Sequence, residues 1–342
     1  MGIQKCLLGE YQNKKIYSFI LENKCGFNVE VSNFGATVLS IKTFDTNNKL
    51  IDVVLGMNKI QDYFEDKNTY MGATIGRCAG RIPNASFTFN NINYSLSTRQ
   101  DKIHLHGGEN AFNKAVWDFD YEDDKNYITF KLLSPDGENG YPGTLIASVK
   151  YSVTDENELV IQYQAQTNKA TIFNPTNHIY FNLAGHTCKE ANHIVKLHCD
   201  SYIPFGQDLL STGEKVPVKA TPYDFSQNTA LLERILEPQL RASGGYDNYF
   251  LANSKIFDLI AEIYEKNSGV RLHIYTNQPG MVFYATADLV SVMGKAGADY
   301  DYLGWFCVEP QGLPMTNHKS AKIETILRPE ESYYQKTVFK FF

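Results

Sequence analysis

The stretch Asn174-Pro175-Thr176-Asn177-His178-Ile179-Tyr180-Phe181-Asn182-Leu183 sets one histidine among asparagines and next to a Tyr-Phe pair. Pro175 fixes its own φ and has no N–H to donate, so the run begins beside an edge, a bulge or a turn. From Ile179 onward the β-branched and aromatic residues favour a strand, in which successive side chains point to opposite faces. By spacing alone such a histidine is more often structural than catalytic. The rest of the chain has to decide.

On both sides of this run the two-residue alternation recurs. Residues 17–21, 27–31, 36–41 and 50–55 read as strands punctuated by Gly26 and Gly35. Phe87 to Leu96 reads as a hairpin turning at Asn90-Asn91. Residues 145–153, 158–166, 270–276 and 281–285 alternate again, and the last pair turns at Gln278-Pro279-Gly280. Residues 185–222 read as loop-rich. Helical spacing occurs at Leu231, Leu232, Ile235 and Leu236, which predicts one short helix over residues 229–240 with Pro238 near its end. Sheet dominates, so the fold class is all-β. No repeat, linker or low-complexity segment divides the chain, and one domain over residues 1–342 is expected.

Hydrophobic residues make up 43% of the 342 and charged residues 20%, within the range of a soluble globular protein. The formal net charge of −6, with no dense Lys/Arg block, argues against nucleic acid or an anionic membrane as the main partner. No run reaches the roughly twenty apolar residues of a membrane span, and the first residues lack the apolar core of a signal peptide. Six scattered cysteines without a CxxC pair fit free thiols in a reducing cytosol, so a cytoplasmic location is expected. The 22 Tyr and 21 Phe suit pleated surfaces, and their faces also stack on the apolar faces of sugars.

Chemistry concentrates in a few short runs. In Tyr70-Met71-Gly72-Ala73-Thr74-Ile75-Gly76-Arg77-Cys78-Ala79-Gly80-Arg81-Ile82 the small residues imply a backbone passing close to something else. Arg81, the second arginine of this run, has the plain reading of a surface salt bridge. His104-Leu105-His106-Gly107-Gly108 puts two histidines on one strand face, yet no third residue has metal-ligand spacing, and no metal is expected. The run from Ser134 to Gly143 is a dense turn in which Tyr141 is a candidate to edge a pocket. In Gly244-Gly245-Tyr246-Asp247 the acid either caps a turn or meets a ligand. Tyr284 is a candidate stacking aromatic. Glu309, inside Phe306-Cys307-Val308-Glu309-Pro310-Gln311, faces a desolvation cost unless it has a role or a partner.

These runs, in this order from about Ala36 to Arg328, resemble the motifs of the aldose 1-epimerases, also called galactose mutarotases: G-A-x-x-G-R-x-A-x-R-I, L-H-G-G, the N-P-T-N-H-x-Y-F-N-L run, G-x-D-x-x-F and x-x-E-x-Q. The resemblance implies a large antiparallel β-sandwich, the galactose mutarotase-like supersandwich, with very little helix. It implies Glu309 as base, His178 as acid, His106 assisting at the ring oxygen, and Arg81 and Asp247 holding sugar hydroxyls. His104 is then structural. The implied partner is a small aldose sugar, with no nucleic acid, membrane, metal or other cofactor, and a monomer or homodimer as the assembly. Two rival classes are a glycosidase using Glu309 with Asp247, and a sugar-binding sandwich without catalysis. Within the family, phosphorylated hexoses or disaccharides are also possible substrates.

Overall fold

Strict alternation in sequence becomes strict alternation in burial. Along the strand Leu145–Val153 every odd-numbered residue is buried and every even one is at least partly exposed. It pairs antiparallel with Glu158–Thr167 along its whole length, Leu145 opposite Thr167 and Val153 opposite Leu159. The computed structural model describes residues 2–98, 102–122, 124–206, 208–242, 244–254, 256–286, 291–301, 303–316 and 323–342.

Three large antiparallel sheets carry the fold. A nine-stranded sheet runs in the order Asp118–Glu122, Tyr127–Ser134, Leu145–Val153, Glu158–Thr167, Tyr333–Phe341, Arg271–Thr276, Asp258–Glu265, His193–Leu197 and Thr229–Ala230. A six-stranded sheet runs Tyr180–Phe181, Phe306–Gln311, Gly280–Thr286, Gly245–Leu251, Ser201–Ile203 and Val216–Pro217. The N-terminal strands Gln4–Tyr11, Lys14–Glu22, Asn28–Ser32, Thr37–Phe44 and Leu50–Asp52 form a five-stranded meander. One cluster of buried apolar side chains takes members from all three sheets. Phe181 of the six-stranded sheet meets Phe339 of the nine-stranded one at 5.4 Å, and Phe19 of the meander meets Phe130 at 5.9 Å. Face-to-face burial of alternating apolar residues is what holds a β-sandwich together.

Several local expectations are revised. The helix expected over residues 229–240 is two short ones, Leu231–Ile235 and Pro238–Ala242. Pro238 cannot donate into a continuing helix but fits the first position of a new one. A helix at Ile60–Glu65 was not legible, because only Ile60 and Tyr63 are buried along it. The loop-rich residues 185–222 contain three strands, His193–Leu197, Ser201–Ile203 and Val216–Pro217, each too short to show a period. The hairpin at Asn90-Asn91 is present, with both asparagines at positive φ.

The run 174–183 is not one strand. Thr176–Asn177 pairs with Thr74–Ile75, and Tyr180–Phe181 pairs with Phe306–Cys307. His178 lies between them, its N–H donating to the Ala73 carbonyl at 3.0 Å and its carbonyl accepting from Gly72 at 2.8 Å. Gly72 lies so close to the Thr37–Phe44 strand that a Cβ there would sit 2.0 Å from the Val38 carbonyl oxygen. The close backbone passage read from the small residues is therefore the contact that fixes His178.

Candidate active site

In Phe306–Gln311 the pleat sends Phe306 and Val308 into the core and turns Cys307, Glu309 and Gln311 to the other face. Register carries that face across the sheet. Cys307 lies beside Tyr180 on one side and Tyr284 on the other, Tyr284 lies beside Asp247, and Glu309 lies beside Val282. The segments holding Arg81, His106 and His178 close over this face. A cleft of about 310 Å³ results, lined among others by Arg81, His106, His178, Asp247, Tyr284 and Glu309. Six of the seven candidate residues thus converge from six separate segments of the chain.

His178 and Glu309 face each other, Nε2 to Oε1 at 3.6 Å, and both are buried. The His178 ring lies nearly parallel to Tyr180, with centroids 5.0 Å apart, and to Tyr70 at 6.0 Å. Its Nδ1 is 3.6 Å from the Cys307 Sγ. The His106 ring stands edge-on to His178 at 5.5 Å. The Gly80 N–H donates to His106 Nδ1 at 3.2 Å, so the neutral ring carries its proton on Nε2. His106 itself has φ +48, and a Cβ on the following Gly107 would lie 1.8 Å from the Gly76 carbonyl oxygen. At the cleft's polar end, Arg81 Nη1 donates to Asp247 Oδ2 at 3.0 Å. The salt-bridge and ligand readings of Arg81 are therefore compatible.

Tyr141 does not edge the cleft. It is fully buried in a separate apolar cluster with Ile82, Leu96 and Ile172. Its hydroxyl donates to His104 Nε2 at 2.7 Å, while His104 Nδ1–H donates to the Ser97 carbonyl, also at 2.7 Å. Both nitrogens of His104 are engaged, and the ring serves as a strut under the His106 turn. The dense turn around Tyr141 is organised by a residue that drew no attention in sequence, Arg77. Its fully buried guanidinium donates to Ser134 Oγ and to the carbonyls of Ser134, Pro135 and Pro142. Tyr70 also went unread. Its ring lies 4.7 Å from that of His106 and 6.0 Å from that of His178, and it sits at φ +55, a backbone turn of which periodicity carries no sign.

Burial dominates the electrostatics. It pushes the His178 imidazole down to about 4, so the neutral ring is favoured. A carboxylate beside an imidazole favours its protonated form, but here burial prevails. Glu309 is pushed well above the usual carboxylate range, first by burial and then by the charge of Asp247, with Arg81 pulling the other way. The pair holds one proton readily and resists both full ionisation and full protonation.

A family model described as aldose 1-epimerase matches residues 17–340. Galactose mutarotase of Homo sapiens is 36% identical over 316 residues, covering 92% of this chain and 90% of that protein. Aldose 1-epimerase of Escherichia coli K12 is 31% identical over 326 residues, covering 94% of each. The solved structure of galactose 1-epimerase from Lactobacillus acidophilus superposes with a TM-score of 0.86 at 27% identity, covering 99% of this chain and 98% of that one. An aldose epimerase homologue from C. elegans gives the same TM-score and identity over 95% of this chain and 99% of that one. With its cleft on one face of a large antiparallel sandwich, this chain belongs to the aldose 1-epimerase family.

Proposed function

We propose that this protein is an aldose 1-epimerase that interconverts the α and β anomers of hexoses such as galactose and glucose. The observation that carries the reading is the 3.6 Å approach of His178 Nε2 to Glu309 Oε1 in a cleft whose polar end is the Arg81–Asp247 pair. Anomers exchange only if the hemiacetal opens. A base takes the proton of the C1 hydroxyl, the C1–O5 bond breaks as the C1 carbonyl forms, and O5 takes a proton from an acid. Rotation about C1–C2 presents the other face of the aldehyde. The ring then closes with each proton returned. Glu309 is the base and His178 the acid: the pair's single proton, which burial favours on Glu309, passes to His178 Nε2 before Glu309 can take the C1 hydroxyl proton.

His106, protonated on Nε2 and held from behind by Gly80, is suited to donate a hydrogen bond at the ring oxygen. Arg81 and Asp247 offer donors and acceptors to the remaining hydroxyls, and Tyr284 a flat face for the pyranose. Positioning of this kind supplies much of the rate in a reaction that needs only proton transfers.

Polarimetry of freshly dissolved α-D-glucose and α-D-galactose tests the proposal. The protein should speed the approach to the equilibrium rotation well beyond the spontaneous rate. No acceleration with either sugar overturns it, and release of reducing sugar from glycosides would favour the hydrolase instead.

A further inference from the structure

Two near-parallel phenol rings fix the plane of the His178 imidazole, but stacking cannot tell one ring edge from the other. Only an in-plane contact can decide which nitrogen faces the cleft. Nε2 faces Glu309 Oε1, and Nδ1 faces the Sγ of Cys307, each at 3.6 Å. Cys307 is fully buried, and its register between Tyr180 and Tyr284 fixes the height of its sulfur above the sheet. We infer that Cys307 is a positioning residue for the epimerase reaction, whose thiol holds His178 Nδ1 so that Nε2 is the ring nitrogen that exchanges protons in the cleft. The inference rests on the catalytic reading of His178 given above.

A thiol has properties that other partners lack here. It donates weakly through S–H and accepts weakly at sulfur. The imidazolium points Nδ1–H to sulfur, and when Nε2 has given its proton to the sugar the neutral ring still carries its proton on Nδ1 and points it to the same sulfur. Nδ1 thus keeps a partner in both protonation states of the cycle. A carboxylate in its place would stabilise the imidazolium and trap the proton the sugar needs. Burial keeps the Cys307 thiol protonated far above neutral pH, so it brings no second charge to the ring. The other titratable groups facing His178 are Glu309 and Tyr284 on the sheet, Tyr180 on its own segment, and Tyr70 and His106 across the cleft. Asp66 acts on it from further away. All of these stay in place when Cys307 is changed.

The test compares the full-length protein with Cys307→Ala and Cys307→Ser, the latter keeping a group that both donates and accepts. In Cys307→Ala, kcat should fall roughly ten- to a hundredfold with KM little changed, the size expected for a mispositioned group. The acid limb of its kcat/KM profile should move to lower pH, because the imidazolium loses the acceptor of its Nδ1–H. Cys307→Ser should recover most of both. Nitrogen-15 chemical shifts of the His178 ring, read without sugar, should report one dominant neutral tautomer in the unchanged protein and in Cys307→Ser, and an altered ratio in Cys307→Ala. Unchanged kcat, limb and tautomer ratio in Cys307→Ala overturn the inference. If Cys307→Ala does not fold, a Cys307→Ser protein with a shifted tautomer ratio and low kcat overturns it equally. The tautomer signal needs no turnover, so failure of the epimerase reading itself, seen as no activity in the unchanged protein, is told apart.

Discussion

Glu309 brings a carboxylate into a place that resists its charge, and that resistance shapes two outcomes. Replacement by Gln keeps the shape and removes the base, so the catalysed rate by polarimetry should fall by roughly two to four powers of ten. The same change should stabilise the folded protein. The folded-state pKa of Glu309 is raised, so above the ordinary value of 4.5 the unfolded chain ionises while the folded one resists, and stability is lost as pH rises towards the folded pKa. Calorimetry should therefore find Glu309→Gln more stable than the unchanged protein at pH 7, with the gap closing near pH 4. A second outcome concerns Asp247, whose charge is the next cause of that elevation. In the coupled pair, activity rises as two protons become one and falls as the last proton leaves, and the second step is dominated by Glu309. Asp247→Asn lowers the pKa of Glu309, so the alkaline limb of kcat/KM should move to lower pH even as sugar binding weakens. A limb that moves up, or stays, contradicts this ordering of the pair.

At the scale of elements, the cleft depends on turns that contribute no reacting group. Arg77 joins the end of Tyr127–Ser134 to the turn that follows, satisfying three carbonyls, of which those of Ser134 and Pro142 are buried, with one planar fork. Arg77→Lys keeps the charge and cannot reproduce that geometry. Each buried carbonyl left unpaired costs about 1–3 kcal/mol, so the variant should lose a few kcal/mol of stability. Urea unfolding should show a lower midpoint with an unchanged slope, since the same surface is exposed on unfolding. Activity at 25 °C should fall less than in Glu309→Gln, because the Arg77 side chain bonds to the turn and does not line the cleft.

Across the whole molecule, buried histidines set the response to acid. Burial lowers His104, His178 and His193, the last two to about 4. Unfolded histidines bind protons near pH 6.5 while these folded ones do not, so stability should drop as pH falls from about 6.5 towards about 4. Glu309 acts in the opposite direction over part of that range, but it is one group against three. Thermal unfolding should give a Tm lower at pH 5 than at pH 7. His193 lies away from the cleft and accepts from the Leu183 N–H at 2.9 Å. His193→Gln, which keeps a side-chain acceptor, should flatten the decline in Tm between those values.

Much of the molecule follows from local patterns in the chain. Leu145–Val153 and Glu158–Thr167 alternate because each residue's burial is decided by its own side chain on a pleat, and that information lies within a few positions. The residues of the cleft were legible through their resemblance to the epimerase motifs, since by spacing alone His178, Arg81 and Asp247 each kept a structural reading. What the chain could not disclose locally is how distant segments meet. Tyr141 and Tyr284 both stand beside turns in sequence, yet register sends Tyr284 into the cleft and core packing takes Tyr141 to His104. Tyr70 and Arg77 act through a positive φ and a fork spanning residues 134–142, neither of which has a period. The low proton affinity of His178 and the high one of Glu309 belong to neither residue alone. They arise because strands far apart in the chain exclude water from both at once, and desolvation is a property of the assembled sheet.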